Sequence, residues 1–180
     1  MLASLKRETK ETCIDASLEV LGRGQCQAST GIELLDEVLL AFAEGGGFDL
    51  AVKAAGDYQT GDHHTAEDVG IALGTAIGQL GIAGTGSSMV PSADGFAMAA
   101  VRFGQPGYTG DFELRSQASC GMALENVGHF MRALAFNGRF TLYLSAKGEL
   151  DRPKIDAMAL SLGRAIKKAA MDEVAEKETE

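Results

Sequence analysis

The sequence predicts an α+β fold built from an internally duplicated β-β-α-β-α half, with each sheet packed on one side by helices. Apolar residues recur first with period two and then with helical period, in the same order, twice along the chain. A shift of 89 lays Asp62-His63-His64-x-x-Glu67 over Asp151-Arg152-Pro153-x-x-Asp156, and with it Leu73 over Leu162, Gly74 over Gly163 and Ile77 over Ile166. A shift of 92 places Phe48 on Phe140 and Glu37 on His129. Residues 1–88 form the first half, and 89–176 a second, degenerate half. Residues 177–180 end a charged tail expected to fray.

The first half opens on residues 5–20, where Ile14, Ala16, Leu18 and Val20 alternate against Asp15, Ser17 and Glu19. That spacing predicts one half-buried strand. Gly22-Arg23-Gly24 makes a turn, and Gln25 to Ser29 returns as a short second strand. From Thr30 or Gly31, the residues Ile32, Leu34, Leu35, Val38, Leu39 and Phe42 fall at helical spacing until Gly45-Gly46-Gly47 ends the run. Phe48 to Ala54 is a third strand. The second helix runs through Ile71, Leu73, Ala76, Ile77 and Leu80 to Gly81.

A looser Gly/Ser-rich stretch, Gly84 to Ser88, separates the halves. Phe96–Phe103 and Tyr108–Leu114 then read as strands around the Gly104-Gln105-Pro106-Gly107 turn. Leu124 to Phe136 is an amphipathic helix closed by Asn137-Gly138, and Phe140 to Leu144 a strand. The last helix runs from Pro153, a residue tolerated in a first turn, to about Val174.

Composition removes several function classes. A net charge of −9 argues against nucleic acid as a partner. The charge is uneven, with 5 basic and 13 acidic residues before Pro91 and 11 and 12 from there on. No apolar run approaches membrane-spanning length, and Met1-Leu2-Ala3 leads at once into Lys6-Arg7-Glu8 rather than a secretory signal. Cys13, Cys26 and Cys120 are an odd number at unpatterned spacings. They read as reduced thiols of a cytoplasmic protein, small residues of the core.

Chemistry concentrates in Asp62-His63-His64-Thr65-Ala66-Glu67-Asp68. On a helix starting at Asp62, His63 and Glu67 stand one turn apart on the same face. Imidazole with carboxylate at that spacing suits zinc, manganese or iron. A second reading of the same residues is structural. Thr65-x-x-Asp68 is a capping box, Glu67 and Asp68 complement the helix N-terminus, and the histidines are polar turn residues. His129, on an amphipathic helix, reads as a packed, hydrogen-bonded residue.

Several motifs in order resemble the imidazoleglycerol-phosphate dehydratase family. They are Arg7-Glu8-Thr9-Lys10-Glu11-Thr12, Thr30-Gly31-Ile32-x-x-Leu35-Asp36, Gly47-Phe48-Asp49-Leu50 and Gly56-Asp57, then the histidine segment through Gly74 and Asn126-Val127-Gly128-His129-Phe130. The resemblance implies a dehydratase of histidine biosynthesis converting imidazole glycerol phosphate to imidazole acetol phosphate. It also implies trimers assembled into a large hollow homo-oligomer, with active sites between subunits holding two manganese ions. In the family the weakly acidic C2 proton leaves first, charge drains into the imidazole ring under Lewis acids, and a carboxylate shuttles protons. Glu11 stands at the family's catalytic-glutamate position.

The departures are specific. The family's Leu-Asp-His-Met motif is here Leu35-Asp36-Glu37-Val38, and a second-half strand histidine falls on Tyr143. The family's second Asn-x-His-His-x-x-Glu falls on Leu150, Arg152, Pro153 and Asp156. Its phosphate-binding cations fall near Gly84, on Gln105 or Pro106, and on Leu160. Each lost charge-assisted contact removes about 1.5–3 kcal/mol of binding. The expected metal set is therefore His63, His64, Glu67 and Glu37 around one manganese ion per chain rather than two, with zinc or iron as alternatives. Two functions follow: a divergent lyase on a small imidazole-type phosphate ester, or a non-catalytic paralogue serving as assembly subunit or small-ligand binder.

Overall fold

Two four-stranded sheets, each with helices on one face, make up the chain in the computed structural model, which describes residues 1–56 and 62–177. Gly61 of the histidine segment, Asp57 of the preceding motif and the tail residues 178–180 lie outside the described residues. The first half contains β1 (Leu2–Glu8), β2 (Thr12–Glu19), β3 (Cys26–Ser29), α1 (Glu33–Gly46), β4 (Asp49–Gly56) and α2 (Asp62–Gln79). The second contains β5 (Thr85–Pro91), β6 (Phe96–Phe103), β7 (Gly107–Asp111), a short β8–β9 hairpin (Ala118–Ser119, Met122–Ala123), α3 (Glu125–Asn137), β10 (Phe140–Lys147) and α4 (Asp151–Lys177).

The duplication is visible in the sheet topology. Strand order is β1-β2-β4-β3 in one sheet and β5-β6-β10-β7 in the other. In both, the first three strands are antiparallel and the fourth lies parallel to its neighbour across a helical crossover. The sequence shifts hold in space as well. Helix α1 begins at Glu33 and α3 at Glu125, while α2 begins at Asp62 and α4 at Asp151.

Each four-stranded sheet holds one strand more than the periodicity predicts, giving β-β-β-α-β-α within the same α+β class, and the second half adds the short β8–β9 hairpin. The single strand expected over residues 5–20 folds back on itself as the β1–β2 hairpin. Thr9 makes the corner: its Oγ1 accepts from the backbone N–H of Thr12 at 2.9 Å, and its own N–H donates to the Thr12 carbonyl at 2.8 Å. The stretch Gly84–Ser88, expected to be loose, lies mostly in β5. Its small residues reflect close packing rather than a turn, because a Cβ at Gly86 would collide with the backbone of Ala165 on α4. The strand expected over Tyr108–Leu114 is shorter, as β7 ends at Asp111, and the last helix starts two residues before Pro153.

Helices of one half pack on those of the other, α1 on α4 and α2 on α3, while α2 covers the first sheet and α4 the second. One continuous core results, drawing Ile14, Leu18, Leu50 and Val52 from the first sheet and Ala99, Leu142 and Leu144 from the second. The two crossings are equivalent. A Cβ on Gly74 of α2 would lie 2.6 Å from the Leu134 carbonyl oxygen of α3, and one on Gly163 of α4 would meet the Phe42 carbonyl oxygen of α1. The cysteines are not core residues. Cys13 alternates with buried Ile14 and faces outward, while Cys26 and Cys120 are half-buried. No described helix is long and apolar enough to cross a membrane.

Candidate active site

Helix α2 begins at Asp62, so Thr65 is a buried residue within its first turn and the capping-box reading fails. Asp68 does other work. Its Oδ1 accepts from Arg7 Nε at 3.1 Å and Nη2 at 2.9 Å, and its Oδ2 accepts from Thr12 Oγ1 at 2.6 Å. These charge-assisted bonds fasten the tip of the β1–β2 hairpin to the start of α2. Glu11 sits on that tip, and its Oε2 reaches His64 Nδ1 at 2.9 Å. Residues more than fifty positions apart in sequence thus meet in one hydrogen bond.

His63 is held from the other side. Asp62 Oδ2 accepts from the Ala123 backbone N–H at 2.6 Å and from Asn126 Nδ2 at 2.9 Å. A carboxylate only accepts, so the Asn126 amide nitrogen faces Asp62 and its oxygen faces His63 Nδ1, 2.9 Å away. That network puts the proton of His63 on Nδ1. Its Nε2 is then a lone pair directed at Glu67 Oε2, 3.5 Å away. His129 closes this side, its ring edge-to-face with His63 at 4.8 Å.

The result is two adjacent imidazole–carboxylate pairs, Glu11–His64 and His63–Glu67, with the rings 5.7 Å apart. An open cavity of about 300 Å³ lies over Arg7, Thr9, Lys10, Glu11, His64, Glu67 and Asp68. The half-exposed carboxylates can exchange protons with a bound molecule, and Lys10 adds positive charge at the rim. Both imidazoles have their Nδ1 occupied, by Asn126 on His63 and by Glu11 on His64, and His63 turns its Nε2 toward Glu67.

Glu37 is not part of this constellation. It lies on α1 and forms an ion pair with Arg152 of α4. Among the described residues, no three His, Cys, Asp or Glu side chains gather closely enough to hold a metal ion within one chain. Arg152 also approaches Ser119 Oγ at 3.4 Å and Cys120 Sγ. A cavity of about 520 Å³ over Glu37, Glu44, Arg152, Pro153 and Asp156 marks this second-half counterpart. Burial, then the charges of Glu44 and Glu37, push the Asp156 carboxyl above the ordinary aspartate range.

Sequence reasoning missed Asp62, Asn126, Arg7, Thr12 and Asp68 as organisers of the site. Their roles depend on which hairpin and which helix meet α2, which spacing along the chain does not reveal. The edge-to-face contact of His129 with His63 was hidden for the same reason.

A duplicated α+β protein with paired imidazoles and carboxylates at the start of α2 is the class that this fold and site define. The family model described as imidazoleglycerol-phosphate dehydratase matches residues 30–166. The imidazoleglycerol-phosphate dehydratase of Chloroflexus aurantiacus is 40% identical over 173 residues, covering 91% of this chain and 83% of that protein. That of Acetivibrio thermocellus is 41% identical over 169 residues, covering 90% and 87%. Among solved structures, the Staphylococcus aureus enzyme superposes with a TM-score of 0.83 at 23% identity, over 94% of this chain and 98% of that one, which establishes the fold. The Pyrococcus furiosus enzyme gives 0.80 at 27% identity, over 92% and 93%. The chain belongs to the imidazoleglycerol-phosphate dehydratase family.

Proposed function

We propose that the chain dehydrates imidazole glycerol phosphate to imidazole acetol phosphate, a step of histidine biosynthesis, using the first-half site alone. The observation that carries this reading is the 2.9 Å contact between Glu11 and His64, made beside the His63–Glu67 pair. Glu11 is the group that takes up and returns the proton. His64 orients its carboxylate, and the Arg7–Asp68–Thr12 staple keeps the hairpin tip within reach. Lys10 offers the substrate phosphate a cation in the cavity.

The residues present fit one divalent ion in part. His63, His64 and Glu67, which do not gather closely enough in one chain, would hold manganese only with donors from a neighbouring copy, and its chemistry there is to withdraw charge from the substrate's imidazole ring. Glu37 is committed to Arg152 and is not proposed as a ligand. A homo-oligomer built from trimers belongs to the same reading, since a neighbouring copy would bring donors that one chain does not gather. A monomeric mass in solution would count against it.

The test is complementation of a histidine auxotroph lacking the dehydratase. Growth with this chain, abolished by Glu11→Gln, is the expected result. No growth despite soluble protein would favour the other reading, a non-catalytic paralogue, for which the Arg152–Glu37 pair between α4 and α1 speaks.

A further inference from the structure

The internal repeat allows one half of the molecule to be compared with the other, residue by residue. His63 of α2 corresponds to Arg152 of α4, and His129 of α3 corresponds to Glu37 of α1. At the α2–α3 crossing the two equivalent residues meet as an edge-to-face imidazole pair, 4.8 Å between centroids. At the equivalent α4–α1 crossing they meet as a guanidinium–carboxylate ion pair. Asp151 departs from Asp62 in its partners: it accepts from the backbone N–H groups of Arg115 and Ser116 in its own half, at 3.0 and 2.8 Å, where Asp62 accepts from Ala123 and Asn126 of the other half. The scaffold is kept while the charge at its centre is changed.

The cavity around that centre is lined by Glu37, Glu44 and Asp156, with Arg152 as its cation. Three carboxylates facing one space are unfavourable without a positive charge among them. Pro153 has no donor to offer an ion, and the guanidinium cannot be deprotonated to admit one. A second manganese therefore does not fit here.

We propose that Arg152 is a built-in cation that takes the place of a divalent ion in the second-half counterpart of the His63–His129 site. The Arg152–Glu37 pair thereby joins α4 to α1 and keeps the pocket closed to metal. The inference concerns the centre between α1 and α4 alone and does not depend on turnover at the start of α2.

The experiment is manganese binding by equilibrium dialysis with elemental analysis on the full chain, comparing the unaltered protein with Arg152→His and Arg152→Gln. Arg152→His is expected to bind one ion per chain more than the unaltered protein, and Arg152→Gln to bind the same extra ion more weakly. Glu37→Gln is expected to melt at a lower temperature with its ion count unchanged. Folded Arg152 variants that gain no ion would overturn the proposal, as would a Glu37→Gln variant that loses one. In a His63→Ala, His64→Ala background the ion gained with Arg152→His should persist. Its survival or loss separates this proposal from the first-half reading.

Discussion

At the scale of single residues, the candidate site is held in place by groups outside its two imidazole–carboxylate pairs. Asn126 is buried between Asp62 and His63 and fixes which imidazole nitrogen carries the proton. Asn126→Ala is expected to weaken manganese binding by about 10–100-fold, the usual effect of removing an outer partner of a ligating histidine. Titration calorimetry on the folded variant would measure it. Glu11→Gln should keep the ion and lower turnover by about 10²–10⁴, the range for losing a positioned acid–base group. A different residue decides stability. The Lys154 ammonium is 2% exposed, accepted by the Gly148 carbonyl at 3.0 Å and by that of Glu113, and lies 3.6 Å from the nearly buried Asp151. Lys154→Met removes the cation beside that carboxylate, which keeps its Arg115 and Ser116 backbone donors, and leaves the two carbonyls without it; the change should cost about 1–3 kcal/mol, measured by denaturant unfolding. The histidines and Glu67 were legible as a site because helical spacing alone aligns two of them. Glu11 was legible only through the resemblance, since its partner lies on another element. Lys154 left no trace in the sequence, because a buried lysine looks like any other until its carbonyls are known.

At the scale of elements, glycines record where helices approach. Gly74 and Gly163 occupy matching points of the two helix crossings, each against a carbonyl oxygen of the partner helix. Alanine there gains about 1 kcal/mol of helix propensity, yet its methyl would force the helices apart. Both Gly74→Ala and Gly163→Ala are expected to destabilise by about 1–3 kcal/mol, or roughly 2–4 °C per kcal/mol in a chain of this size. Gly128 of α3 is the contrast: the nearest atom to an added methyl is Tyr108 Oη at 3.9 Å. Gly128→Ala should raise Tm by relieving about 0.5–1 kcal/mol of backbone entropy cost. These opposite signs explain what the sequence conceals. Strong periodicity marked all four helices and the central strands β2, β4, β6 and β10. Edge strands β1 and β5 went unseen, one because its alternation ran on into β2, the other because its small residues serve a neighbouring helix.

At the scale of the whole molecule, three aspartates tie loops to the frame and set its response to acid. Backbone N–H groups of Gln25 and Arg23 hold the Asp49 carboxyl below the ordinary range, and those of Leu150 and Glu149 do the same for Asp94. For Asp151 burial pushes upward, but the N–H groups of Arg115 and Ser116 and the Lys154 charge outweigh it and leave a net depression. Carboxyls with lowered folded values contribute stability that is complete above the unfolded value of about 3.9 and lost as pH falls further. Tm should therefore be flat from neutrality to about pH 5 and drop below about pH 4, less steeply in Asp151→Asn. The duplication was legible at this scale from two offsets alone, because pairs of equivalent helices must repeat their apolar stripe. That the halves interlock through crossed helix pairs, and that their two centres diverge in charge, required the packing itself.

The asymmetry between those centres is most directly tested by counting manganese bound per chain at saturation, in the unaltered protein and in the His63→Ala, His64→Ala double variant. One ion per chain, lost in the double variant, is the expected result. Two ions in the unaltered protein, none at all, or a single ion that survives loss of both histidines would contradict it.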